Sequence, residues 1–233
     1  MKRTIITYLF LLSCLMVSSG VYAQEMSTFK ANDIKKLYLG GHLKVELIKS
    51  NEEKVEFKAP AEIKRLIKVK TSKGAITIKG KARKLQRLSG RRVKIKVYYK
   101  QLEMIKARNG VMVSAKEPVK SKDLELIAIE GSIVDLQMQT KDLKARVSMG
   151  AEVVLDGTSD TFQVRVKMGS SLEAYGFKTN ICYVKTGMGS NASVFAREAI
   201  YMSAGMGSSI KYRGNPKRVL RSSPWMGSDI NRN

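Results

Sequence analysis

Five methionines each precede a glycine: Met149, Met168, Met188, Met206 and Met226. A recurring thioether could hold a soft cation such as Cu(I), or could fill a core column with a flexible apolar side chain. Because the methionines keep phase with apolar columns, the core reading is preferred. Other chemistry-bearing residues are sparse. His42 is the only histidine, so no multi-histidine metal site can form; beside Gly40-Gly41 it reads as a turn residue. Glu152, Asp156, Asp160, Glu173 and Glu198 share no common column, against the paired carboxylates of a polysaccharide lyase or hydrolase. Cys182 falls in an apolar column and reads as a buried, inert thiol. The expectation is therefore no catalytic residue, no cofactor and no metal.

Charge is the stronger signal. Lys and Arg number 43 against 20 Asp and Glu, a formal net charge of +23. Between Lys64 and Lys100 lie fifteen basic residues and no acidic one. Such a balance favours anionic partners: lipid headgroups, acidic polysaccharides or nucleic acid. Export and few interleaved aromatics (Tyr98, Tyr99) argue against nucleic acid. Alternation in Ile67-Lys68-Val69-Lys70 and Val93-Lys94-Ile95-Lys96-Val97 turns Lys68, Lys70, Lys94 and Lys96 away from the apolar side. Arg83, Lys84, Arg87, Arg91 and Arg92 crowd the loop between those strands. Two readings stand: a solvated face that discourages edge pairing, or a docking surface for the carboxylates or phosphates of envelope glycans or lipids.

The elements that position these residues follow from a repeat. Gly110, Gly131, Gly150, Gly169, Gly189, Gly207 and Gly227 are separated by 21, 19, 19, 20, 18 and 20 residues, a repeat architecture. Seven residues before the later glycines lie Leu124, Leu143, Phe162, Cys182, Ile200 and Leu220. Three before lie Ala128, Val147, Val166, Thr186, Ala204 and Pro224; three after lie Val134, Val153, Leu172, Ala192, Ile210 and Ile230. Polar residues alternate with these columns, so each unit is strand, glycine corner, strand, then a short loop such as Asp156-Gly157-Thr158-Ser159. No helical pattern intervenes. The expected fold is all-β, a right-handed parallel β-helix of about seven coils with a period of about 20 residues. Gly131, Gly150, Gly169, Gly189, Gly207 and Gly227 are its structural turns, needed where a side chain would obstruct or φ is positive. Methionine would fill the narrow inner corner. Ser132, Ser170, Ser190, Ser208 and Ser228 would bond neighbouring backbone or the serine of the next coil.

Residues 1–23 read as a signal peptide: Lys2 and Arg3, an apolar run from Ile5 to Val17, then Val21-Tyr22-Ala23 before Gln24. Cys14 fits a lipoprotein box poorly. No second long apolar segment follows, so no transmembrane span is expected in the mature chain. Residues 24–233 are expected to form a single domain, with 24–100 as a less regular β-rich cap and 101–233 as glycine-cornered coils. In the cap, Ser50-Asn51-Glu52-Glu53 reads as a hairpin turn between His42–Lys49 and Lys54–Ala59, with a second hairpin around Ser72-Lys73-Gly74 and a helical turn over Ala61–Leu66. Pro224 and the tail Asn231-Arg232-Asn233 read as a guard against end-to-end stacking.

The stretches "LYLGGHLKVELIKSNEEKVEFKAPAEI", "IKVKTSKGAITIKG" and "KIKVYYKQLEMIKARNGVMV", then glycine-serine coils ending "IKYRGNPKRV" and "GSDI", resemble the head GIN-domain family, DUF2807. The resemblance runs from about Phe29 to Ile230. Family coils usually carry Ser-Gly-Ala-Ser where this chain has mostly Met-Gly-Ser. The resemblance implies an exported β-helix of adhesin type, common in Bacteroidetes, with no catalytic motif to carry over. The expected function is a non-enzymatic protein, exported to the periplasm, outer membrane or cell surface, that binds or scaffolds at the envelope. A β-helix polysaccharide-active enzyme and a self-assembling scaffold are the alternatives. The oligomeric state is left open.

Overall fold

The structure, a computed structural model, describes residues 25–90, 92–222 and 225–233. The expected leader with Cys14, and also Arg91 and Pro224, lie outside the described residues. Of the described residues 68% lie in strands and 6% in helices, a β-solenoid of about six turns, close to the seven expected.

The regular part runs through β8 (Met104–Arg108), β9 (Met112–Ala115), β10 (Val119–Ile129), β11 (Ile133–Ser148), β12 (Glu152–Lys167), β13 (Ser171–Gly187), β14 (Asn191–Ala204), β15 (Ser209–Arg213), β16 (Arg218–Arg221) and β17 (Asp229–Arg232). Successive strands pair in parallel, one coil apart: Met104 with Glu125, Leu143 with Phe162, Phe162 with Cys182 and Asn191 with Ser209. Those offsets match the glycine spacing. The cause is the side-chain period of two. Within β11, Leu143, Ala145 and Val147 are buried while Lys144 and Arg146 are exposed. Each inward side chain lies on its equivalent in the next coil, and the apolar core runs unbroken from Ile34 to Ile230.

The corners differ from expectation in an instructive way. Both residues of each Met-Gly corner have positive φ: Met168 at 58° and Gly169 at 66°, Met188 at 57° and Gly189 at 66°. The methionines do not fill the interior. They point out, between 43% and 62% exposed. A Cβ added to any of these corner glycines would meet nothing within 4 Å, so glycine is there for its dihedral and not for room. Asp156-Gly157-Thr158-Ser159 is not the expected loop but the middle of β12, because each pairs in register with β11; there space does decide, since a Cβ added to Gly157 would lie 2.0 Å from the Met138 carbonyl oxygen, and φ is 113°. Ser132, Ser190, Ser208 and Ser228 bond backbone as expected, whereas the buried Ser170 hydroxyl has no hydrogen-bond partner among the described residues. The Ser190 hydroxyl donates to the Val166 carbonyl at 2.7 Å, one coil back, and accepts the Gly187 N–H at 3.1 Å. Ser228 repeats the pattern on Ala204 and Trp225.

The N-terminal region is stacked out of chain order. It comprises β1 (Glu25–Lys30), β2 (Lys36–Gly40), β3 (Leu43–Lys49), β4 (Lys54–Ala59), α1 (Ala61–Lys64), β5 (Ile67–Ser72), β6 (Ala75–Gly80), α2 (Ala82–Ser89) and β7 (Val93–Tyr99). The first rung, β2–β3, lies inside the stack. It pairs in parallel with β6 and β7 on one side and with β8 and β9 on the other. The second rung, β6–β7, is the outer one, and the antiparallel strands β5, β4 and β1 continue it. The hairpin around Lys73 forms as expected, and α1 is the expected helical turn. The hairpin over Ser50–Glu53 does not form, because β7 takes the place beside β3 and β4 pairs with β7.

At the far end, Leu220 was expected over Ile200. Instead Val219 pairs with Ile200 and Leu220 with Tyr201, a slip of one residue. All four residues of β16 are exposed, Val219 and Leu220 among them, so burial of one face does not enforce its parity.

Candidate functional site

Each Met-Gly corner divides a coil into a strand that enters it and a strand that leaves it. The outward side chains of the entering strands form the leading face; those of the leaving strands form the trailing face. Both faces present one residue per rung in rows, at about 4.8 Å per rung.

The leading face is cationic. Its central row reads Lys70, Thr77, Tyr38, Lys106, Ile127, Arg146, Arg165, Lys185, Ser203, each residue paired in register with the next. Lys68, Lys79, Arg108 and Lys167 lie on the row nearer the corner, and Lys144, Gln163, Tyr183 and Tyr201 on the row farther from it. Arg108 is held by Glu130 through a two-point contact at 3.1 and 3.2 Å, and Arg146 lies 3.7 Å from Glu125. Among the described residues no carboxylate forms an ion pair with Lys144, Arg165, Lys167 or Lys185. The rings of Tyr183 and Tyr201 stack at 4.6 Å with their planes 9° apart. Arg146, Arg165, Lys185 and this aromatic pair line a shallow groove of about 600 Å³.

The trailing face has the opposite character over its middle coils, while its central row carries Lys96 toward one end and Lys211 toward the other. Asp135, Glu152, Asp156 and Glu173 project from three adjacent strands, and Asp135 and Glu173 share a row with Val154 between them. The acidic residues judged scattered in the sequence thus include three that share this face. Among the described residues no group of three or more His, Cys, Asp and Glu could hold a metal ion.

The structure divides the basic residues singled out from the sequence. Lys68 and Lys70 stand on β5, at the cap end of the leading face. Lys94 and Lys96 stand on β7, across the molecule, in register with Lys44 and Glu46 of the trailing face. Arg83, Lys84 and Arg87 lie on α2 and not in a loop; Leu85 is buried and pins that helix against the stack. Arg92 donates from Nε to the Gly110 carbonyl at 3.3 Å. Pairing of β4 with β7 stops at Phe57 and Ile95. There a groove of about 530 Å³ opens with an apolar floor (Phe57, Ile63, Val93) and a basic rim (Lys58, Arg92, Lys94). Glu56, on the same rim, is bound to Lys54 at 3.0 Å, which holds its pKa below the usual carboxylate value.

Sequence reasoning missed Lys106, Arg146, Arg165 and Lys185. A signal for them existed: all four stand four residues before a corner glycine, in a column set aside as merely polar. Two expectations hold. Cys182 is fully buried, which pushes its thiol up to about 12. His42 stands next to the Gly41 turn; partial burial, then the Arg92 charge, keep its pKa below 6.5.

A family model described as "Putative auto-transporter adhesin, head GIN domain" matches residues 33–216. Among solved structures, the chain is similar to a "putative adhesin" from Bacteroides fragilis, with a TM-score of 0.81 and 19% identity over 90% of this chain and 96% of that one. It is also similar to a "putative lipid binding protein" from Parabacteroides distasonis, with a TM-score of 0.68 and 15% identity over 92% of this chain and 98% of that one. A third similar structure, a "putative adhesin" from Parabacteroides merdae, gives a TM-score of 0.63 at 13% identity, over 92% and 98%. At these identities the likeness is one of fold. No curated protein matches the sequence.

Proposed function

The chain belongs to the head GIN-domain family, DUF2807, and on that premise we propose that it is an exported, non-enzymatic adhesin-type protein whose leading face docks a linear anionic polysaccharide. One observation carries this reading: the row Lys106, Arg146, Arg165, Lys185 extends along the stack axis, with the Tyr183–Tyr201 platform beside it. Rungs spaced about 4.8 Å apart present cations at close to the advance of one pyranose unit in an extended chain. Each contact is weak and exposed, so affinity comes from many contacts in parallel and falls with salt. Arginine adds two-point contacts to carboxylates, and tyrosine faces stack on sugar rings.

A second reading rests on a different place. The groove between β4 and β7, with its apolar floor and basic rim, suits the acyl chain and headgroup of an anionic lipid.

One experiment separates them. The protein is titrated with polygalacturonate, with neutral dextran and with phosphatidylglycerol vesicles, at 50 and 300 mM salt. The triple variant Arg146→Glu, Arg165→Glu, Lys185→Glu should lose at least tenfold in polygalacturonate affinity. Lys94→Glu with Lys96→Glu should leave it unchanged. Equal binding of dextran, or an unaffected triple variant, refutes the leading-face reading. Vesicle binding lost only in the Lys94/Lys96 variant establishes the lipid reading in its place.

A further inference from the structure

The Met-Gly corners stack as a ridge between the two faces. The Gly131 N–H donates to the Met149 carbonyl, Gly150 to Met168, Gly169 to Met188, Gly189 to Met206 and Gly207 to Met226, at 2.8 to 3.0 Å. The backbone ladder therefore continues around the corner, and five methionines follow one another at rung spacing. Each sits in the left-handed region, with φ between 50° and 59°. That region disfavours side chains other than Asn, Asp and Gly. Two earlier corners show how the position is otherwise occupied: Asn109, a residue that tolerates it, and Glu130, whose carboxylate holds Arg108.

The methionines have neither excuse. They do not enter the core, for all five are exposed, while Met138 and Met202 elsewhere in the chain are buried. Methionine is thus placed five times in succession where the backbone resists it and the interior does not need it. Repeated, outward-facing strain of this kind points to the side chain itself as the feature in use. What the thioether offers and leucine lacks is a soft, polarisable sulfur donor. Three rotatable bonds let sulfurs from adjacent rungs converge on one ion.

We propose that the ridge Met149, Met168, Met188, Met206, Met226 binds a soft monovalent cation, Cu(I), between sulfurs of neighbouring rungs. The ion is exchanged without redox change, so no electron donor or acceptor is involved. This site is independent of the leading face and its polysaccharide.

The test uses the protein in a Cys182→Ser background, which removes its buried thiol. Anaerobic titration against the Cu(I)–bicinchoninate complex should show withdrawal of at least one Cu(I) per chain. Replacing the five ridge methionines with leucine keeps size and apolarity and removes the donor; it should abolish withdrawal while circular dichroism stays unchanged. If the fivefold variant fails to fold, the single variants Met168→Leu and Met188→Leu should each weaken binding at least threefold. With Ag(I) as probe, the methyl resonances of the ridge methionines should shift, and those of Met138 and Met202 should not. No withdrawal of Cu(I), undiminished binding in the leucine variants, or shifts confined to Met138 and Met202 would each overturn the assignment.

Discussion

The two faces of the solenoid obey the same rule inward and, over the middle coils, opposite rules outward. On both, every second side chain enters the core: Leu143, Ala145 and Val147 on the leading side, Val153 and Leu155 on the trailing side. The residues between them are Lys144, Arg146, Arg165 and Lys185 on one face and Asp135, Glu152, Asp156 and Glu173 on the other. Burial fixes one half of each strand and leaves the other half free. Fold and surface charge are therefore written in interleaved residues of the same strands, and charge can segregate by face at no cost to packing.

The comparison breaks most completely if the stack that separates the faces is undone. Gly157→Ala drives a Cβ toward the Met138 carbonyl at a φ of 113°. It should cost about 3–5 kcal/mol, from overpacking and backbone strain together, measured as a fall in the urea midpoint. Gly169→Ala places its Cβ in open space at a φ of 66° and should cost only about 1–2 kcal/mol. Equal losses at the two positions would show that the two kinds of turn do not differ as described.

A smaller effect sharpens the contrast. Asp135→Lys with Glu173→Lys gives the trailing face cations two rungs apart on one row. Stability should change by less than about 1 kcal/mol, since both sites are exposed. Polygalacturonate affinity should rise severalfold at low salt, through a second cationic face; a fall would mean that the acidic face itself contributes to binding.

The smallest effect lies where the two faces meet, at His42. Its folded pKa is below 6.5, with burial the larger cause, so the unfolded chain takes up a proton first as pH falls. The contribution of neutral His42 is complete above about pH 6.5 and is lost progressively on acidification below it. His42→Gln should remove that part of the decline between pH 7.5 and 5.5. A decline of identical size in the variant would assign the effect to other groups.

Much of this architecture was legible because stacking imposes a period that few other arrangements need. The glycine column gave the offsets between coils, and Val147, Val166 and Ala204 fell inward as expected. Three features were not legible, each for a physical reason. Met188 looked like core because a left-handed dihedral leaves no mark in a hydropathy pattern; its outward direction follows from φ alone. The pairing of β3 with β7 was hidden because proximity in sequence suggests a hairpin, whereas β3 lies between β7 and β9 in parallel register. The cationic row was overlooked because a dense run of charge between Lys64 and Lys100 draws attention, while Lys106, Arg146, Arg165 and Lys185 stand about 20 residues or more apart and meet only when the coils close.

The first rung lies between the second and third, so Lys36 must wait for both Ala75 and Met104. A chain emerging N-terminus first cannot complete that layer until β8 and β9 have appeared, more than sixty residues later. Early segments have no finished neighbour on which to condense, and contacts of such long range form slowly. The N-terminal layer therefore locks only after the middle of the sequence has arrived.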